Sequence, residues 1–122
     1  MAYDEELAHR IRELFADERD VQEKRMFGGL AFLVGGNMAI AASGQGGVLV
    51  RVGPDGSDRL LRTTKAEVAV MRGRPMTGWL RVASEHIATK RQLSKWVELG
   101  AKYARSLSAK PPESTGTNVS LP

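Results

Sequence analysis

Three short apolar segments separated by glycine-rich turns constrain the fold of this chain more than any other feature. The segments comprise residues 30–34, 38–42 and 48–52, and residues 35–37 and 43–47 lie between them. Connections this short join antiparallel neighbours, because a parallel crossover needs a dozen or more residues. Val48, Val50 and Val52 add the β-branched side chains that strands favour. The sequence therefore predicts a three-stranded antiparallel meander.

Helical periodicity appears on both sides of this meander. Near the N-terminus, Asp4 can cap a helix whose apolar stripe is Leu7, Ile11, Leu14 and Phe15. Residues 57–62 predict a short helix with Ser57 as its cap. Thr89 and Gln92 have the spacing of a capping box, and they precede a long helix with one apolar face formed by Leu93, Trp96, Val97, Gly100, Ala104 and Leu107.

Two more strands are predicted at residues 67–71 and 78–83. Residues 73–76 between them should form a loop or a sheet edge, because Pro75 cannot donate a hydrogen bond to a ladder. Residues 21–27 alternate imperfectly and begin an extended segment of loosely defined limits. The predicted order is helix, three strands, short helix, two strands and long helix. This order predicts an α+β fold with two layers, in which a five-stranded antiparallel sheet carries helices on one face.

The charge is unevenly distributed along the chain. Residues 1–23 contain eight acidic residues against three arginines, whereas residues 24–110 contain fifteen lysines or arginines against five acids. One interpretation is that an acidic first helix is solvated and lies over a basic body. The other is that a basic face meets nucleic acid or an acidic protein.

Several classes of function lack support in the sequence. The chain has no cysteine, so no disulfide or thiolate site is expected. The glycines match neither GxxxxGK[ST] nor GxGxxG, and no G-x-S-x-G elbow is present. His9 and His86 stand far apart without a partner motif. We therefore predict no catalytic residue, no cofactor and no metal. The acidic N-terminus and the absence of a long apolar run predict a cytoplasmic protein without membrane contact.

Two motifs about fifty residues apart each join a basic residue and a methionine to glycine beside an aromatic side chain. They occupy residues 25–32 and 73–79. This combination predicts backbone packed closely on other backbone, with large side chains filling the space. Arg25, Arg74 and Trp79 allow two interpretations. They either pack against the core with the arginine heads in solvent, or form an exposed patch of residue types enriched in binding hot spots.

With the order of elements around them, these motifs resemble the N-terminal domain of the TfoX/Sxy family, which is associated with regulation of bacterial DNA-transformation competence. The resemblance implies a domain over residues 1–109 with the same two-layer arrangement. Residues 110–122 are polar and rich in proline, and predict a disordered tail. Longer family members carry a second, C-terminal domain, so the chain resembles a stand-alone form. The candidate family-motif or interaction residues are Arg25, Met26, Phe27, Gly28, Gly29, Arg74, Pro75, Met76, Gly78 and Trp79.

The resemblance and the lack of catalytic motifs favour a non-catalytic regulatory or protein-interaction module. It would bind a protein partner, as a monomer or a homodimer. Weak, non-specific binding of nucleic acid through the basic residues is the alternative. A small-molecule enzyme using Arg25, Arg74 or His86 is the remote one.

Overall fold

The computed structural model describes residues 3–26 and 28–107. Phe27 and the predicted tail at residues 110–122 lie outside the described residues. The elements, in chain order, are α1 (Glu5–Leu14), β1 (Val21–Met26), β2 (Gly29–Val34), β3 (Asn37–Ala42), β4 (Val48–Arg51), α2 (Pro54–Thr63), β5 (Glu67–Met71), β6 (Arg74–Val82), a 3₁₀ turn (Ser84–His86) and α3 (Lys90–Ser106).

The strands form one sheet in the order β1-β2-β3-β4-β6-β5, and all neighbouring strands are antiparallel. The α+β class and the antiparallel sheet are confirmed, but the count of five strands is wrong. The additional strand is β1, which pairs with β2 along its full length, from Val21 opposite Val34 to Met26 opposite Gly29. Its four central residues are all exposed. Such an edge strand carries polar side chains on both faces, and this obscured the alternation.

The predicted helix starts are confirmed for α1 and α3. The Leu7 N–H donates to Asp4 Oδ1 over 3.1 Å, and Thr89 and Gln92 form the reciprocal capping box. The start of α2 was predicted wrongly. This helix begins at Pro54 rather than after Ser57, because a proline in the first turn has no intrahelical hydrogen bond to lose. The buried Ser57 hydroxyl instead donates to the Pro54 carbonyl.

The main core lies between the helices and one face of the sheet. Phe32, Ile40 and Leu80 contribute fully buried side chains from the strands, and Trp96 of α3 is 4% exposed. The other members of the predicted α3 stripe are buried except Leu107, which is half-buried. Helices on one face, as predicted, therefore account for this core.

A second apolar cluster lies on the opposite face of the sheet, which we call the helix-free face. Its buried members are Ala31, Met38, Ala41, Leu49 and Ala69, all no more than 5% exposed. Met26, Leu33, Met71, Met76 and Trp79 pack around them. None of these residues belongs to a helix. The face is therefore buried by another part of the sheet rather than by a helix layer.

The cover over the helix-free face is the outer part of the β5–β6 hairpin, residues 69–76, which we call the distal hairpin. β6 pairs with β4 only from Trp79 to Val82, so residues 74–76 have β5 as their sole strand neighbour. The register shifts between Val68 and Ala69, and Gly78 has a φ of +87°. A bulge and a left-handed glycine bend a strand strongly. The hairpin bends there and folds back over the helix-free face.

The prediction that residues 73–76 form a loop is wrong, because Arg74, Pro75 and Met76 belong to β6. The turn consists only of Arg72 and Gly73, whose φ angles of +53° and +76° correspond to a two-residue hairpin turn of type I′. The alternative, a sheet edge, is confirmed at Pro75. Pro75 lies opposite Val70 in a stretch where β6 has no β4 neighbour, so its missing N–H leaves no ladder bond unmade.

Candidate functional site

The two sequence motifs meet on the helix-free face. Met26 from the first motif packs against the second apolar cluster, as do Met76 and Trp79 from the second motif. Because the two motifs are far apart in sequence, they were expected to come together only through the pairing of strands in the sheet. The bend at Gly78 brings the two motifs together, because beyond this bend the distal hairpin extends over the helix-free face towards the β1–β2 turn.

Close backbone contacts at both motifs confirm the prediction made from their glycines. Gly29 is buried against the carbonyl of Ala42, which leaves no space for a Cβ atom. A Cβ on Gly78 would lie 2.9 Å from the backbone of Gly53 and of Pro54. The Gly78 carbonyl also accepts hydrogen bonds from the N–H groups of Val52 and Gly53, over 2.8 and 3.1 Å. Gly78 therefore joins the bend in β6 to the loop that starts α2.

A cavity of about 240 Å³ lies between the β1–β2 turn and the distal hairpin. We call it the hairpin cavity. Apolar residues from four strands line it: Met26, Ala41, Leu49, Ala69 and Met71, together with the edge residue Val70 and with Gly29 and Ala42. Ala42 pairs with Leu30 and Val48 of the helix-side core, so its side chain lies on the other face of the sheet. The small alanines on β3 and β5 leave the space that the cavity occupies.

Four polar residues complete the lining of the hairpin cavity: Ser43, Gln45, Arg72 and Arg81. Arg81 is half-buried and donates a hydrogen bond to the Gly46 carbonyl over 3.3 Å. Within residues 3–26 and 28–107, neither Arg72 nor Arg81 forms an ion pair. The cavity lining thus combines apolar residues with two arginines that form no ion pair with a described carboxylate, although Glu67 lies opposite Arg81 in the sheet.

A cation–aromatic contact lies beside the cavity. The guanidinium carbon of Arg51 is 5.2 Å from the centroid of the Trp79 ring and 5.4 Å from that of Tyr103, which is within the range of cation–π attraction. Trp79 is half-buried. Arg51 was not singled out in the sequence analysis. Its contact depends on the β4–β6 register, which places Arg51 opposite Trp79, and no local motif records that register.

A comparison with protein-family models identifies the family of this chain. The family model described as the TfoX N-terminal domain matches residues 13–104, which include both motifs and all six strands. The chain belongs to the TfoX N-terminal domain family. The search of curated proteins gave no significant match.

This TfoX N-terminal domain does not bring all the predicted site residues together. Arg74 is exposed and lies opposite Met71, on the helix-free side. Arg25 is also exposed, but it lies opposite Leu30, a member of the helix-side core. Cross-strand partners share a face, so Arg25 is on the other side of the sheet from Arg74 and Trp79. Arg25, Arg74 and Trp79 therefore do not form one patch.

Pro75, another predicted site residue, lies on the outer surface of the distal hairpin. Pro75 is exposed and pairs with Val70, which is 56% exposed. Gly28, with a φ of +73°, forms the β1–β2 turn and is exposed. Phe27 lies outside the described residues. Pro75 and Gly28 thus belong to the two hairpins that border the cavity.

The three residues considered for a small-molecule enzyme, Arg25, Arg74 and His86, do not line the hairpin cavity either. His86 contacts the neighbouring Glu85, with 3.4 Å between Nε2 and Oε2, although residues adjacent in sequence were expected to point apart. In the described part of the chain, no three His, Asp or Glu residues are grouped to hold a metal ion. No helix of residues 3–26 and 28–107 has the length and apolar character needed to cross a membrane.

The acidic N-terminal region forms ion pairs with arginines on the helix side of the molecule. Arg12 of α1 makes a two-pronged contact with Glu23 of β1, and Arg105 of α3 contacts Glu18 and Asp20. The hydrogen bond from Arg105 holds the pKa of Asp20 below its ordinary value, and that from Arg12 does the same to the pKa of Glu23. Acidic and basic residues are therefore partly matched within the chain on this side.

Proposed function

We propose that this TfoX N-terminal domain is a non-catalytic regulatory module of the cytoplasm that binds an acidic protein partner through its helix-free side. The observation that carries the proposal is the segregation of charge. Two arginines of the helix side, Arg12 and Arg105, pair with carboxylates, whereas cations predominate over the single carboxylate that the described strands place on the helix-free side.

The cross-strand register identifies the charged residues of the helix-free side. Lys24 lies opposite Ala31, Arg51 opposite Trp79, and Arg81 opposite Leu49, and each of these partners belongs to the second apolar cluster. Arg74 lies opposite Met71, and Arg72 is in the adjoining turn. Glu67, opposite Arg81, is the single carboxylate that the described strands place on this side. The excess of positive charge would attract an acidic partner and orient its approach.

The side chains between these cations are suited to binding. Trp79 is half-buried beside Arg51, and arginine and tryptophan are the residue types most enriched in hot spots. Met26, Met71 and Met76 supply flexible apolar contacts that can adapt to a partner's surface. The non-catalytic part of the proposal rests on the sequence, which lacks the nucleophile, cofactor and phosphate-loop motifs searched for.

Charge reversal at two matched arginines tests this function. Arg74→Glu alters the helix-free side, and Arg91→Glu alters an arginine on α3 that is also exposed. Each variant replaces the wild-type protein in its native host, and partners are recovered by affinity capture with quantitative mass spectrometry. We expect Arg74→Glu to lose a partner that the wild type and Arg91→Glu both retain. Both variants should keep wild-type circular dichroism and melting temperature, because surface substitutions change stability little.

The proposal fails if Arg74→Glu retains every partner, or if both variants lose the same partners equally. A recovered partner should also have an acidic surface, and its binding should weaken with added salt. Capture of nucleic acid in place of a protein would favour the alternative function.

A further inference from the structure

We propose that the hairpin cavity binds a small apolar carboxylate, such as a saturated fatty acid of roughly six to ten carbons. This would be a ligand site in addition to the proposed partner surface. The cavity contacts Arg72 and Arg81, whereas the partner test uses Arg74, which does not line it. Arg74→Glu therefore tests partner binding without altering the cavity lining, whereas Arg72 and Arg81 belong to both sites.

The interior of the hairpin cavity matches a hydrocarbon chain. Ala41, Ala69 and Leu49 are no more than 5% exposed, so the apolar surface that a ligand could contact comes mainly from Met26, Val70 and Met71. Met26 and Met71 close two sides with long, unbranched side chains. Filling this space with methylene groups would remove apolar area from water, at about 0.8 kcal/mol for each buried CH₂. A purely polar ligand would gain none of this.

The polar part of the lining matches a carboxylate. A guanidinium presents a planar fork of N–H donors that fits the two oxygens of a carboxylate. Arg81 is held in place by its hydrogen bond to the Gly46 carbonyl, so part of its conformational freedom is already lost. Ser43 and Gln45 lie beside it with further hydrogen-bonding groups. No described carboxylate lies within ion-pair distance of Arg72 or Arg81, although Glu67 is the cross-strand neighbour of Arg81.

The size of the cavity limits the class of ligand. A volume of about 240 Å³ is many times larger than the space needed for one water molecule, which is about 10–15 Å³ on the same kind of measure. Inorganic phosphate would fill only a fraction of the cavity, and the apolar residues of the lining would have no apolar group in contact with them. The side chain of a partner's aspartate or glutamate is likewise too short to fill it. A medium-chain carboxylate satisfies both the volume and the charge.

Methionine methyl groups report directly on this site. Met26 and Met71 line the cavity, whereas Met38 belongs to the same apolar cluster without lining it. In ¹³C-methyl-methionine spectra of the full chain, titration with octanoate should shift the Met26 and Met71 signals and shift that of Met38 less. Inorganic phosphate should shift none of them. Unchanged Met26 and Met71 signals at saturating octanoate would overturn the proposal.

A matched pair of variants tests the role of the charge. Arg81→Ala should weaken octanoate binding by roughly tenfold or more, as expected for a lost charge-assisted pair. It should leave the binding of octanol unchanged, because octanol lacks the carboxylate. Arg91→Ala, on α3, should bind octanoate as the wild type does. If Arg81→Ala alters the melting temperature, Arg81→Lys retains the charge without the fork and should bind more weakly than the wild type. Equal octanoate affinity in wild type, Arg81→Ala and Arg81→Lys would overturn the proposal.

Discussion

At the scale of single residues, Gly73 and Gly78 show why the same backbone angle has different consequences at two positions. Both have φ angles in the left-handed region, +76° and +87°. Gly73 has open space where a Cβ would lie, whereas Gly78 has the backbone of Gly53 and Pro54 there. A side chain at Gly73 is disfavoured by conformation alone. At Gly78 it would also displace a neighbouring segment.

This difference predicts opposite tolerance to substitution. Gly78→Ala should destabilise the domain by more than about 2 kcal/mol, since left-handed strain of ~1–2 kcal/mol adds to overlap with rigid backbone. Gly73→Asn should cost less than about 1 kcal/mol, because asparagine tolerates the left-handed region of a type I′ turn. Urea unfolding of the two variants measures both values. A smaller loss for Gly78→Ala than for Gly73→Asn would contradict the close approach described at Gly78.

Trp96 is the largest side chain that α3 buries in the core. It lies at the centre of the buried stripe and is 4% exposed. Trp96→Ala should lower the free energy of unfolding by roughly 3–5 kcal/mol, the usual range for removing a large core side chain. Arg91→Ala, an exposed change on the same helix, should cost less than about 0.5 kcal/mol. Chemical denaturation that left the two variants equally stable would show that α3 does not bury Trp96.

At the scale of elements, ion pairs tie the α1–β1 connection to the rest of the helix layer. Arg105 of α3 reaches Glu18 and Asp20 in that connection. Arg12 of α1 reaches Glu23 of β1. These contacts fix the edge strand β1 in position relative to two helices. All the side chains involved are partly exposed, so each pair contributes little by itself.

The lowered pKa values of Asp20 and Glu23 predict how stability depends on pH. Their folded pKa values lie below their ordinary values of 3.8 and 4.5. Their contribution is therefore complete above the unfolded pKa values and is lost as pH falls through the folded ones. Wild type should lose more stability between neutral pH and about pH 3 than the double variant Arg12→Gln/Arg105→Gln, as measured by urea unfolding. Added salt should reduce the difference, and an identical pH profile in both proteins would exclude these pairs as its source.

At the scale of the whole molecule, one strongly bent sheet creates two different sides. Helices cover one face, and a fold of the sheet's own hairpin covers the other. The distal hairpin buries alanines and methionines beneath it while the arginines of its turn and strands remain at the surface. The same bend therefore forms the hairpin cavity and concentrates positive charge around it.

This charge distribution predicts weak binding to duplex DNA without sequence preference. Up to five cations of the helix-free side would contact phosphates. The logarithm of the binding constant should then fall with the logarithm of salt concentration with a slope no steeper than about −4.5, at ~0.9 per phosphate. Fluorescence anisotropy on two unrelated duplexes at several salt concentrations measures this. Tight, salt-resistant binding to one duplex would instead establish a specific nucleic-acid function.

Local signals in the sequence predicted those parts of the fold that depend on neighbours along the chain. The Asp4 cap, the Thr89–Gln92 capping box and the α3 stripe were predicted because caps and helical faces involve residues three or four positions apart. The meander was predicted because its turns are short. β1 was missed as a separate strand because its central residues are polar on both faces, and its assignment depends on pairing with β2.

The site was predictable only in its parts. Both motifs were recognised from residue types alone. Glycine next to an aromatic residue indicates that two backbone segments pack closely, and this indication does not depend on knowing the fold. Arg25 could not be separated from Arg74, because the face on which each side chain lies depends on register. Arg51 and Arg81 carried no local signal at all. Their roles depend on strands that are neighbours only in the folded sheet.

The sequence by itself determined the family, the antiparallel α+β class and the helix caps, since each depends on short-range spacing and composition. Only the tertiary structure decided that the β5–β6 hairpin folds back over the sheet. That bend requires a bulge at Val68–Ala69, a left-handed Gly78 and the loop at Gly53 to be adjacent in space. Contacts between residues so far apart in the chain follow from the packing of the whole sheet. The hairpin cavity and the basic side that surrounds it exist because of those contacts.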